Sequence, residues 1–283
     1  MGPGSGGADD TAAGHSANEK GERPMSKQRE GSPPSSHDTW DNVRGMSNSA
    51  PQRPLFSPAF GRLGAALGGV VLQQQEALAE FLPRADWSAD LAARTYTSGG
   101  ATVRVALLGS YAVQERTWLW GWANPQFGPD HPAVVPVLSV REMGERLGVP
   151  ELTTPEVDLS GYEGPAAHGG ELIAVVAAGL LGGGGYIGAG YDGGSAYLHV
   201  DDPQVPRAIW DAVSVPRLII NAVTLFPHDP MLTLARFLSH HRVAYRQTAQ
   251  TTEVRLPGGG TGRAVFDELG RFTNWETNLT AAR

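Results

Sequence analysis

The spacing of apolar positions changes several times along the chain, and each change marks an element. Phe60, Leu63, Leu67, Val70, Val71, Leu78 and Phe81 recur at three- and four-residue steps, the period of a helix that buries one face. Ser57 stands as N-cap before Pro58, and Pro83 ends the run. Gly61, Gly64 and Gly68 fall near one face of this helix, where the missing side chains would let another backbone approach closely. The period then shortens to two. The stretches from Leu91 to Tyr96, Thr102 to Tyr111 and Thr117 to Ala123 read as consecutive strands of an antiparallel meander, joined by Ser98-Gly99-Gly100 and by Ala112 to Arg116. In the second strand Val103, Val105, Leu107 and Tyr111 are expected on a core face, with Thr102, Arg104, Ala106 and Ser110 on a mixed one.

Asn124-Pro125 and Gly128-Pro129 break the sheet, and the pattern predicts a helix from about His131 to Leu147, capped by Gly148. An extended loop to Pro165 follows, then a helix from Ala167 to Leu181. Next comes a hairpin of Tyr186 to Tyr191 and Ala196 to Val200 around Asp192-Gly193-Gly194. Beyond Asp201-Asp202-Pro203 a short helix is expected near Arg207 to Ala212. Another is expected over Arg217 to Leu225, although Ile219, Ile220 and Val223 suit a strand as well. Asp229-Pro230 opens a helix with Leu232, Ala235, Phe237 and Leu238 as its stripe. The chain ends in strands at Ala244 to Leu256, Arg263 to Phe266 and Arg271 to Asn278. The fold class is therefore α+β, an antiparallel meander sheet packed by helices.

Composition divides the chain into three. Residues 1–50 are rich in Gly, Ser, Pro, Asp and Glu and nearly free of aliphatic side chains, so they are expected to be a disordered tail. Met25 and Met46 within it raise the expectation of a misassigned start. Residues 51–202 form one α+β unit, and residues 203–283 form a packed extension of helix and antiparallel strands. The net charge of −7, with no basic block, disfavours nucleic acid and anionic membranes as partners. The absence of Cys removes disulfides, thiolate nucleophiles and Cys-based metal centres. Both lysines, Lys20 and Lys27, lie in the tail, so the folded part offers neither a Schiff-base lysine nor a phosphate-loop lysine. No secretion signal is visible, and Gly182-Gly183-Gly184-Gly185 interrupts the uncharged run from Leu172 to Tyr191. A membrane span needs about 20 helical residues, so the run reads as a buried helix and a turn in a cytoplasmic protein.

The most distinctive motif is Thr117-Trp118-Leu119-Trp120-Gly121-Trp122-Ala123-Asn124, which holds three of the chain's seven tryptophans. Together with Leu107-Leu108-Gly109-Ser110-Tyr111 before it, Gly144 to Leu152 after it and the hairpin from Tyr186 to Val200, it resembles a bacterial domain-of-unknown-function family. That family is marked by a Trp-x-Trp-x-Trp-Ala-Asn signature. The resemblance covers roughly Phe56 to Asp202 and implies no catalytic or ligand residue.

On a strand, Trp118, Trp120, Trp122 and Asn124 would share one face. That face is either the wall against which helices pack or an aromatic floor that stacks a ligand, and Gly121 marks a place of close approach. Gly183-x-Gly185-x-x-Gly188 has a helix before it and a hairpin after it, the reverse of a dinucleotide fingerprint, so it reads as a turn. His228, Asp229, His240 and His241 lack the spacing that aims two imidazoles at one metal. His199 is expected at the sheet surface. The acids available for proton transfer are Asp192, Asp201, Asp202, Glu253, Asp267 and Glu268.

No cofactor or metal is expected. The expected role is non-enzymatic binding of a protein partner or small ligand through Trp118, Trp120, Trp122 and Asn124. The alternatives are a hydrolase or transferase with a dispersed Arg, Asp, Glu and His site, and a toxin-neutralising immunity protein. A closed sheet face would favour the first reading, and an open cleft exposing tryptophan rings beside a desolvated acid would favour the second.

Overall fold

A computed structural model describes residues 56–162, 166–257 and 259–278, so the expected tail over residues 1–50 lies outside the described residues. The first helix, α1 (Pro58–Phe81), starts where its cap predicts: Ser57 Oγ accepts the Phe60 N–H at 3.2 Å. Its glycines are covered by rings rather than by another backbone. Phe226 sits over Gly64 and Gly68, and His228 over Gly61; a Cβ would overlap these rings at Gly64 and Gly61 and press on Phe226 at 3.2 Å at Gly68. These rings come from the link between α4 (Val215–Leu225) and α5 (Pro230–His240), whose N-cap Asp229 accepts from Leu232 N at 2.9 Å.

A seven-stranded antiparallel sheet is built around one long strand. Its members are β1 (Trp87–Asp90), β2 (Thr95–Ser98), β3 (Ala101–Ala112), β4 (Thr117–Trp120), β5 (Glu156–Asp158), β6 (Tyr186–Tyr191) and β7 (Gly194–Val200). The first four residues of β3 pair with β2, and its last four pair with β4, from Gly109↔Trp120 to Ala112↔Thr117. Strand β7 pairs with β3 from Val105 onward, β6 lies outside β7, and β5 lies outside β4.

Three expectations change here. The first expected strand is a hairpin, β1 and β2, because the chain turns at Leu91 to Arg94, with Arg94 at φ 58°. Part of the expected loop before Pro165 pairs as β5. The register along β3 and β7 shifts between Leu107 and Gly109, leaving Leu108 as a bulge. The bulge reverses the face parity, so Tyr111 joins Ala106 and Leu108, opposite Val103, Val105 and Leu107. The face of Val103, Val105 and Leu107 is core and the opposite face is mixed as expected, with Thr102 and Arg104 exposed and Ala106 and Leu108 buried; Tyr111 changes sides.

Helix α2 (Leu138–Leu147) is shorter than expected, since a 3-10 turn at Val135–Val137 precedes it; Gly148 caps it in the left-handed region, at φ 64°. Helix α3 (Ala166–Leu181) packs against α1 and the Tyr111 side of the sheet. The expected helix at Arg207 to Ala212 is absent. That segment runs non-helically, held by α1: Gln74 Nε2 donates to Pro206 O at 2.9 Å, and Gln74 Oε1 accepts from Ala208 N at 3.0 Å. Gln73 Nε2 donates to Ile209 O at 2.7 Å, and His241 Nε2 lies 2.7 Å from Gln73 Oε1.

Helices α4 and α5 share a second core with a four-stranded sheet, in the order β11 (Phe272–Asn278), β10 (Thr261–Phe266), β9 (Thr251–Arg255), β8 (Tyr245–Gln247). The expected strand from Ala244 to Leu256 is two strands, because Thr248 Oγ1 accepts from Thr251 N at 3.1 Å and the chain reverses there.

Candidate functional site

The tryptophan motif divides at Trp120. Up to that residue it is strand, and the cross-strand pairs Tyr111↔Trp118 and Gly109↔Trp120 fix which way the indoles point. Gly109 leaves the space that Trp118 fills: a Cβ there would lie 2.5 Å from Leu119 O and 2.7 Å from Trp118 Cζ2. The Trp118 ring stands edge-on to Trp120 at 5.4 Å and tilted against Tyr197 at 5.2 Å. Both Trp118 and Trp120 are 0% exposed. Trp120 Nε1 donates to Glu151 O at 3.0 Å, while the Glu151 carboxylate accepts from the Ser57 backbone N–H and from Ser57 Oγ. The motif is thereby fastened to the start of α1. Burying an indole removes about 150–250 Å² from water, so these two rings act first as core.

After Trp120 the chain leaves the strand in a 3-10 turn, Gly121–Ala123. Gly121 lies against the Leu107 carbonyl, where a Cβ would overlap it, so the close approach expected there is made by β3. The turn carries Trp122 and Asn124 away from the strand face. Trp122 is half-buried, stacks on Trp120 at 6.4 Å and 17°, and lies 4.9 Å beneath the Arg141 guanidinium. Its Nε1 is shielded from solvent and has no hydrogen-bond partner among the described residues. Asn124 Oδ1 accepts from Gln126 N at 2.9 Å, closing an Asx turn. Arg141 also pairs with Glu145 at 3.3 Å, and both side chains are about half exposed.

A second cluster lies beneath α3, away from the expected acids. Glu171 is 7% exposed, and its Oε1 accepts from the Tyr186 hydroxyl at 2.9 Å. Burial pushes its carboxyl up from 4.5 to about 7, against the pull of the Tyr186 bond. Burial raises the hydroxyls of Tyr186, Tyr197 and Tyr162, and the Glu171 charge raises them further. Trp118 Nε1, buried and without a partner among the described residues, belongs to the ring that packs on Tyr197.

His199, the cross-strand neighbour of Tyr186, is buried rather than at the sheet surface, at 3% exposure. Burial pushes it down to about 4, with Arg207 and Arg94 adding to the effect. Asp201 and a hydrogen bond to the Gly185 backbone oppose it. At the end of β7, burial works to raise Asp201, but Arg104 and Arg94, at 2.8 and 2.5 Å, outweigh it and hold the carboxyl low.

The six acids named from sequence do not converge. Asp202 accepts from Arg104 N and Gln204 N, Asp267 closes the turn before β11, and Asp192, Glu253 and Glu268 are exposed. Sequence reasoning missed Glu171. Its signal was position: it is the acid that borders the uncharged run beginning at Leu172. A surface cleft of about 430 Å³ lies elsewhere, lined by Glu76, Ala79, Glu80, Arg84 and Arg217, and contains none of these groups. Among the described residues no three His, Asp or Glu side chains are grouped to hold a metal, and no helix is long and apolar enough to cross a membrane.

Residues 62–203 match the model of a family described as a family of unknown function (DUF6882). That span holds the tryptophan motif, Arg141, Glu171 and His199. No curated protein and no solved structure matches the chain.

Proposed function

We propose, for a chain that belongs to the family of unknown function DUF6882, a non-enzymatic binding role in which a protein partner is recognised where Trp122 and Asn124 emerge. The observation that carries this reading is the placement of Arg141 on the Trp122 ring. Arg and Trp are the side chains that most often anchor interfaces, and an arginine stacked on an indole gives up less conformational freedom when it binds. The Trp122 ring is already engaged by Trp120 and Arg141, so the group offered outward is the guanidinium rather than a bare aromatic floor. Its bond to Glu145 is an exposed helix pair worth about 0.3–0.5 kcal/mol. An incoming carboxylate can replace it. The partner's contact is therefore an acidic side chain, and Trp118 and Trp120 support the anchor from within. The bacterial, cytoplasmic setting expected from the sequence is part of the same proposal.

The catalytic alternative has one observation in its favour, the carboxyl of Glu171 poised near neutrality, where proton transfer is most effective. Against it stand the burial of Glu171 itself and of Tyr186 and Tyr197 beside its carboxyl. Affinity capture from the source cells with the full chain, followed by identification of bound proteins, tests the preferred reading. A partner captured by the wild-type chain and reduced at least tenfold by Arg141→Glu supports it. Equal capture by that variant, or recovery of a tightly bound small molecule in place of a protein, overturns it.

A further inference from the structure

We propose that α3 is an acid-locked cover over the tryptophan stripe: Glu171 closes it when protonated against Tyr186, and ionisation of Glu171 releases the helix's first turns from Tyr111 and Trp118.

The contact that would open is made without side chains. A Cβ at Gly170 would lie 3.1 Å from Tyr111 Cβ and 3.4 Å from Trp118 Cε3, and one at Gly169 would lie 3.2 Å from Leu159 Cδ1. The helix backbone thus rests directly on the aromatic face. Two consecutive glycines also cost the helix about 1 kcal/mol each relative to alanine. The first half of α3 is held down by packing and by Glu171 rather than by its own propensity. Its second half is fixed differently: Ala174 to Ala178 are buried, and Gly179 abuts Leu67 and Val71 of α1. Release is therefore local to the glycine end.

Among the described residues, the titratable groups facing Glu171 are tyrosines from three elements. Tyr186 comes from β6, Tyr197 from β7 and Tyr162 from the segment before α3, with Tyr111 of β3 acting on Tyr197 in turn. Tyr186, Tyr197 and Tyr162 are neutral near pH 7, so an ionised Glu171 gains the Tyr186 hydroxyl bond and no counter-charge from them. Burial holds its carboxyl near 7, against 4.5 in the ordinary case. The open helix, in which water reaches the carboxylate, is then favoured by rising pH between those two values.

Hydrogen exchange on the full chain, corrected for the intrinsic pH dependence of amide exchange, tests this. Opening at the amides of Gly169 to Ile173 should increase by about tenfold per pH unit from pH 5 to 7 and level off above. Glu171→Gln should abolish the rise. Tyr186→Phe removes the hydroxyl that aids ionisation, so its plateau should come at higher pH; this variant carries the test if the glutamine variant does not fold. A pH-independent opening in the wild-type chain, an unchanged rise in Glu171→Gln, or an equal rise in α4 and α5 would each overturn the proposal.

Discussion

The side-chain amide of Gln75 takes the place of a neighbouring strand beside Tyr186: its Nε2 donates to the Tyr186 carbonyl at 3.0 Å, and its Oε1 accepts the Tyr186 N–H at 2.7 Å. A helix residue thereby closes the start of edge strand β6. Leaving either buried backbone group unpaired costs about 1–3 kcal/mol. Gln75→Ala is expected to destabilise the protein by about 2 kcal/mol. Gln75→Glu should do no better, because it removes the donor and sets a negative charge against a carbonyl. Urea unfolding of the two variants checks this, and a rescue by Glu would show that the contact acts through packing alone.

Glu171 and His199 should give opposite pH dependences that mask one another. Glu171 is raised from 4.5 to about 7, so the folded state holds its proton more tightly, and the stability this confers is lost as pH rises through that window. His199 is lowered from 6.5 to about 4, so the unfolded state binds its proton more tightly, and stability is lost as pH falls through that window. Each swing is about 3 kcal/mol in size, at 1.36 kcal/mol per pKa unit. For these two groups together, stability should be nearly flat from pH 4.5 to 6.5. Removing one exposes the other: Glu171→Gln should become steadily more stable as pH rises from 4.5 to 6.5, and His199→Asn steadily less. Denaturant midpoints across that range would show it, and parallel curves for the two variants would contradict it.

Gly109→Ala should be among the most damaging single-methyl additions in the chain. The new Cβ meets the Leu119 backbone oxygen, which cannot swing aside, and the Trp118 ring, which is walled in by Trp120 and Tyr197. A loss of about 3 kcal/mol is expected, at the upper end of overpacking effects. A melting temperature within about 2 °C of wild type, for a chain this long, would show that the sheet yields there.

Trp118→Ala and Asn124→Ala separate the two halves of the motif. The first empties a fully buried site and should cost about 3–5 kcal/mol. The second removes a turn bond at the half-buried exit and should cost about 1 kcal/mol or less. Thermal melts in the reverse order would move the core from Trp118 to the turn.

What the sequence revealed follows from how local each cause is. Ser57-Pro58, Gly148 and Asp229-Pro230 set helix ends through contacts within a few residues, and all three do so in the structure. Asp192-Gly193 likewise makes its hairpin, with Gly193 at φ 86°. The bulge at Leu108 was not legible, because it arises from register against β7, some ninety residues away. Nor was the split of the motif at Trp120. Two-residue spacing continues through Trp122, while the turn is imposed by the approach of Leu107 to Gly121. Glu171 escaped notice because its burial depends on Tyr186 and Tyr197, which no spacing rule links to it. The segment from Arg207 to Ala212 looked helical by composition, but distant glutamines on α1 bind backbone groups within and beside it.

Helix α1 lends Phe60, Ala65 and Val71 to the core beneath the large sheet and Leu72 to the core of the C-terminal part. A stretch delimited by likeness to relatives is consequently not the stretch that can stand by itself. Excised at residue 203, the matched span would keep α1 from residue 62 onward and lose Phe226, Phe237, Ile219 and the acceptors of Gln73 and Gln74. One flank of its longest helix would face water as a groove of bare glycines. Relatives that end near that boundary must therefore supply another cover for this flank, from their own chain or from a second molecule.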